Sequence, residues 1–140
     1  MKTININGKL IDFSTPKVMG IMNLTPDSFY AGSRTEGAHE IVERCYQIIS
    51  EGGTMIDIGA QSTSPASRFL AAKEEAERLM PSLGLIRKEF PDAILSVDTF
   101  YADVAKQAVE EYGVNMINDI SGGQLDERMF PVVAQLNVPY

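Results

Sequence analysis

Four times along this chain a short apolar run ends on an Asn or Asp and gives way to a polar turn and then a stretch of helical spacing. Val18 to Met22 ends on Asn23, Met55-Ile56 on Asp57, Ile94 to Val97 on Asp98, and Met116-Ile117 on Asn118 and Asp119. Apolar runs this short, bounded by turn residues, read as strands buried on both faces. The loops that follow cannot extend a strand: in Thr25-Pro26-Asp27-Ser28, proline has no N–H for a ladder, and Asp and Ser bond their own backbone. Each buried strand thus delivers a polar residue to one edge of a sheet, and in a parallel sheet that carboxyl edge is where ligands bind. Side chains alternate faces along a strand. Counted back by twos, Asn23 shares a face with Ile21 and Met19, Asp57 with Met55, Asp98 with Ser96 and Ile94, and Asn118 with Met116. One such residue merely caps a strand; four in succession on one parity make convergence at a common mouth the better reading.

The rest of the chain fits around these strands. Residues 3–13 alternate apolar and polar about Asn7-Gly8, the favoured two-residue hairpin turn, and predict a short hairpin outside the main sheet that lids its far end. Helices are predicted from Ala38 to Glu51 (Ile41, Cys45, Ile48 and Ile49 at helical spacing, stopped by Gly52-Gly53), from Ala71 to Glu89 (Ala72, Ala76, Leu79, Leu83, Ile86), from Ala102 to Tyr112 (Val104, Ala105, Ala108, Val109) and from Asp126 to Leu136. Pro81 is expected to kink the second or split it. The strands are predicted at 54–58, 94–97 and 115–120 after the first, and residues 137–140 read as the opening of a fifth. Strand–helix alternation gives parallel βα units. Eight such units need roughly 250 residues, and this chain has 140. The predicted fold is therefore α/β, the N-terminal half of a TIM (β/α)8 barrel with outer helices, as one partial domain over 1–140. A complete open doubly wound sheet competes, weakened by the lack of a Gly-x-Gly-x-x-Gly after the first strand.

Composition excludes some functions. With 12 basic and 19 acidic residues the net charge is −7, which disfavours nucleic acid and anionic membrane as partners. No apolar stretch approaches the roughly 20 residues of a membrane helix, and the N-terminus has no signal-peptide core, so a cytoplasmic protein is expected. The one cysteine, Cys45, falls among apolar helical positions and reads as core. His39 has no companion at metal spacing and reads as surface.

Taken together, four motifs resemble dihydropteroate synthase over nearly the whole chain. They are Gly20-Ile21-Met22-Asn23-Leu24-Thr25-Pro26-Asp27-Ser28-Phe29, Asp57-Ile58-Gly59 with Ser62-Thr63-x-Pro65, Ser96-Val97-Asp98-Thr99, and Ile117-Asn118-Asp119-Ile120-Ser121-Gly122-Gly123. That family has the TIM-barrel fold. It joins p-aminobenzoate to dihydropterin pyrophosphate with magnesium, releases pyrophosphate, and is a sulfonamide target. The resemblance implies that Asp98 and Asn118 hold the pterin, that Asn23 contacts Mg2+, and that Thr63 donates to the pterin pyrophosphate. It further implies that two loops, with Thr25, Pro26, Asp27 and Phe29 on the first and Ser62, Thr63 and Pro65 on the second, form much of the aminobenzoate site. Asn23, Asp98 and Asn118 are the expected catalytic set.

The residue types suit that chemistry. A pterin presents an exocyclic amine and a ring N–H side by side, which a carboxylate accepts as a bidentate pair. Its adjoining carbonyl and ring nitrogen need a donor and an acceptor together, which an uncharged amide supplies. The second loop departs from the family pattern Ser-Thr-Arg-Pro-Gly, reading Ser62-Thr63-Ser64-Pro65-Ala66. Arg68 is the candidate to supply the missing cation. The family's further Asp, Lys and Arg-x-His on later strands have no counterpart in 1–140, so this chain alone is expected to be inactive. Its open half-barrel edges are expected to self-associate. Two other readings stand beside this one: a pterin-binding methyltransferase domain with a corrinoid partner, and a non-catalytic pterin-binding paralogue.

Overall fold

The structure, a computed structural model, describes residues 2–24, 34–62 and 68–140. Strands β1 (Thr3–Ile6) and β2 (Lys9–Asp12) form the hairpin expected around Asn7-Gly8. Both turn residues have positive φ, 50° and 82°, which is the backbone that a two-residue turn matching the strand twist demands. The Asn5 side chain accepts the Gly8 N–H at 2.8 Å and closes the turn.

The main sheet is parallel. Its strands are β3 (Met19–Asn23), β4 (Met55–Gly59), β5 (Ile94–Asp98) and β6 (Met116–Asn118), in the spatial order β3-β4-β5-β6. Between and after them run α1 (Arg34–Ser50), α2 (Ala72–Glu89), α3 (Ala102–Tyr112) and α4 (Met129–Leu136). Strand order equal to chain order is the winding of a barrel. A doubly wound sheet would reverse direction after its first strands, so the competing fold is excluded.

All four helices pack on one face. The core there joins Met22, Ile56, Ile58, Leu95, Val97 and Ile117 of the strands to Ile41, Cys45, Leu79, Leu83, Ala105, Ala108 and Met129 of the helices. These strand positions have the parity opposite to Asn23, Asp57, Asp98 and Asn118, so the polar set faces away from the helices. Close approach of α1 explains Gly20, where an added Cβ would overlap the Ile48 side chain. The hairpin lies at the other end of the sheet from Asn23 and Asp98. Lys9 and Ile11 line a cleft of about 540 Å³ with Thr54, Phe90 and Ile94, near the strand starts.

Several boundaries differ from expectation. Helix α1 begins at Arg34 rather than Ala38, carrying Gly37 inside it. Helix α2 is continuous through Pro81, which is exposed, so the N–H it lacks falls on the solvent side. Strand β6 is only three residues long and α4 starts at Met129, because 119–128 form turns built on Asp119 and Asp126. The last residues are not a strand, although the Ile117 N–H donates to the Pro139 carbonyl at 3.0 Å. No helix among the described residues is long and apolar enough to cross a membrane.

Candidate functional site at the strand ends

Register places the expected groups in one row. Asn23 pairs with Gly59, Gly59 with Asp98, and Asp98 with Asn118. Adjacent strands lie about 4.8 Å apart, so Asp98 and Asn118 stand within reach of one flat heterocycle and Asn23 lies two strands beyond Asp98. Gly59 contributes no side chain to the row, and a Cβ there would lie 3.3 Å from the Asp98 Cβ. Asn23 and Asn118 are exposed and Asp98 is half-buried.

Asp57 sits one step deeper, in register with Ile21 and Ser96. It is buried, as is Ser96. Asn118 reaches down to it, its Nδ2 donating to Asp57 Oδ2 at 2.9 Å. That bond fixes which way the Asn118 amide faces and leaves its second N–H and its oxygen for another partner. Asp57 Oδ1 and Ser96 Oγ have no hydrogen-bond partner among the described residues. Buried polar atoms without partners are rare, and here they lie directly beneath the row.

The electrostatics follow from crowding. Burial, and then the charges of Asp57 and Asp119, raise the Asp98 carboxyl from 3.8 to about 6. Burial also pushes Asp119 upward, but donors from Ser121, Tyr140 and Gly123 outweigh it and hold that carboxyl below its usual range. One carboxylate is thus satisfied by its own turn, while Asp98, half-buried, has no such set of donors among the described residues. A carboxylate beside an oriented amide, over a polar floor, is suited to a planar ligand with an amidine-like N–H pair.

The other expected residues are spread more widely. Ser62 is half-buried at the root of the second loop. Arg68 is exposed and grips Glu74 through two hydrogen bonds, 3.1 and 2.8 Å. Thr25, Pro26, Asp27, Phe29, Thr63 and Pro65 lie outside the described residues. Cys45 is fully buried and its thiol is pushed up to about 12 by burial, so it supplies no thiolate. His39 is on the surface, 3.9 Å from Glu43.

A family model for pterin binding enzymes matches residues 19–140, the whole βα portion of the chain. The chain belongs to the pterin-binding enzymes. Among its relatives is a folate synthesis bifunctional protein of Arabidopsis thaliana, 46% identical over 99% of this chain and 29% of that protein. A dihydropteroate synthase of Streptococcus pyogenes is 33% identical over 94% of this chain and 49% of that one. The solved dihydropteroate synthase of Xanthomonas albilineans with 4-aminobenzoic acid superposes with a TM-score of 0.84, at 32% identity, over 98% of this chain and 49% of that chain. This chain therefore spans half, or less, of the length of these relatives, and its fold is the first half of a TIM barrel.

Two features around the strand-end rim escaped the sequence reading. One is the floor made by Asp57 and Ser96, whose parity was visible but whose depth depends on strand register. The other is Glu75 of α2, an ionisable side chain with no exposed surface.

Proposed function

We propose that this chain supplies the amino-terminal half of a dihydropteroate synthase, which condenses dihydropterin pyrophosphate with p-aminobenzoate to 7,8-dihydropteroate and releases pyrophosphate. The observation that carries the reading is the adjacency of Asp98 and Asn118 in one register row with Asn23. Asp98 accepts the paired N–H groups of the pterin. Asn118, turned by its bond to Asp57, offers an N–H and an oxygen to the neighbouring ring edge. The reaction is driven by stabilising negative charge on the departing pyrophosphate, so no protein nucleophile is required.

Mg2+ is part of the proposal. No cluster of three His, Cys, Asp or Glu able to hold a metal exists among the described residues. Asn23, exposed at its strand end, offers a single neutral oxygen. That suits magnesium, which keeps several waters and takes substrate phosphate oxygens; when bound it would neutralise charge on the leaving group. The first loop (Thr25, Pro26, Asp27, Phe29) and the second (Ser62, Thr63, Pro65) form the aminobenzoate site, which a sulfonamide would contest, and Thr63 and Arg68 serve the pyrophosphate. Cytoplasmic location is part of the same reading, and cell fractionation tests it.

The deciding experiment is titration of the full-length protein with dihydropterin pyrophosphate and then with p-aminobenzoate. Aminobenzoate binding that depends on the pterin supports synthase. Pterin binding with no aminobenzoate site would instead favour a methyltransferase or a non-catalytic binder. The 140-residue chain alone is expected to show no measurable turnover, and product formation by it would refute the division of the site.

A further inference from the structure

Glu75 lies in the first turn of α2 with 0% of its surface exposed. A buried carboxyl is costly unless it is paired, and no cation pairs with it among the described residues. Burial raises its carboxyl above the usual range; the Thr99 hydroxyl and the Gln61 amide act against this, and the Asp98 charge adds to it. Its Oε1 has no hydrogen-bond partner among the described residues. As a contribution to stability such a group is poor, since an apolar residue of similar volume would do as well or better.

Its one short bond explains its place. The Thr99 hydroxyl donates to Glu75 Oε2 at 2.5 Å. The same hydroxyl accepts the Tyr101 N–H at 3.1 Å, which turns its proton toward Glu75. Thr99 is the residue after Asp98, and its own N–H donates to the Asn118 carbonyl at 3.0 Å. Both residues of the proposed pterin grip are therefore one step from Thr99, by chain or by hydrogen bond. The root of the second loop is stitched to the same point. Gln61 bonds Leu70 in both directions, at 2.9 and 3.2 Å, and the Tyr101 hydroxyl donates to the Leu70 carbonyl at 2.7 Å.

We infer that Glu75 is a positioning residue: through the Thr99 hydroxyl it fixes the end of β5 against the end of β6, and so sets the spacing between Asp98 and Asn118. The inference rests on the function proposed above. Glu75 itself is assigned no contact with substrate and acts through the Thr99 hydroxyl.

The test uses the full-length protein with Glu75→Leu and Glu75→Gln. Leu keeps volume and removes the acceptor; Gln keeps an oxygen for Thr99. Titration with dihydropterin pyrophosphate is expected to show about tenfold weaker binding for Glu75→Leu, the scale of one well-made hydrogen bond. Glu75→Gln is expected to restore binding to within about threefold, with thermal stability of both variants near that of the parent. Parent-like affinity in a folded Glu75→Leu protein would overturn the inference, and so would a Gln variant as weak as Leu. If Glu75→Leu does not fold, Thr99→Val removes the hydroxyl at constant shape and decides the matter by the same thresholds. Amide hydrogen exchange without ligand separates this inference from the reading it rests on. A parent protein that binds no pterin defeats the proposed function, whereas the positioning role is then judged by the Thr99 amide. That amide is expected to exchange about tenfold faster in Glu75→Leu and normally in Glu75→Gln; unchanged exchange in both defeats it.

Discussion

At the scale of single residues, the binding role proposed for Asp98 conflicts with stability. An Asp ordinarily titrates near 3.8; here burial and the charges of Asp57 and Asp119 raise it to about 6. A raised carboxyl binds its proton more tightly in the folded chain, so its contribution to stability is full at low pH and is lost as pH rises through about 6. Asp98→Asn is therefore expected to stabilise the ligand-free protein at pH 7 by roughly 1–2 kcal/mol, after allowing for partial solvent contact, and by nothing below about pH 4. Thermal melts across that range check it. The same substitution is expected to weaken pterin pyrophosphate binding by about a hundredfold, because a charge-assisted bidentate pair is lost. Arg68 gives a second test. It is held by Glu74, whose carboxyl it draws down to about 2 with help from the Ala71 N–H, so it must exchange partners to meet a phosphate. Arg68→Ala is expected to raise the Michaelis constant for the pterin substrate about tenfold, and unchanged kinetics would remove Arg68 from the site. The shared strand-end row of Asn23, Asp98 and Asn118 was legible in the sequence because strand alternation is a local rule. Glu75 escaped that reading, although positions 75, 79, 82 and 86 share one helical face and Leu79, Ser82 and Ile86 are all buried. Its charge concealed it, since Glu is rarely buried without a partner.

At the scale of elements, Arg87 ties together what propensity alone leaves loose. Its guanidinium donates to the carbonyls of Tyr112, Gly113, Pro91 and Ala93 and to Asn115 Oδ1, at 2.9 to 3.2 Å. It thereby closes the C-terminus of α3, the turn before β5 and the approach to β6. Asn115 passes the link on, accepting the Leu95 N–H at 2.9 Å. Arg87→Met keeps the stem and removes five donors' worth of bonding, so a loss of about 2–3 kcal/mol is expected in denaturant melts, with pterin affinity unchanged if the protein is folded. A drop under about 0.5 kcal/mol would mean that water replaces the guanidinium at no cost. Helix existence was readable from apolar spacing, and so were the ends of α2 and α3, whereas the starts of α1 and α4 were not. Gly37 looked like loop and lies inside α1, and Pro81 looked like a break and lies on the wet side of α2, where packing of Leu79 and Leu83 outweighs one missing bond.

For the whole molecule, the strands run in chain order and every helix among the described residues packs on one side of the sheet. Ile21, on the side away from the helices, and Val18, just before β3, are each 61% exposed. We expect the 140-residue chain to self-associate through this surface, so that its apparent mass in sedimentation rises with concentration, and Ile21→Lys should reduce that rise. A concentration-independent monomer would contradict it. Barrel winding was legible from repeated βα units, but nearness in space was not: the Thr99–Glu75 contact joins positions 24 apart, and the Asn118–Asp57 bond joins positions 61 apart. The hairpin sits at the opposite end of the sheet from the Asp98 rim, a strand length of about 13 Å away. A fluorophore or affinity handle grafted at Asn7-Gly8 would therefore let the protein be immobilised or followed in an assay with the chemistry left unobstructed.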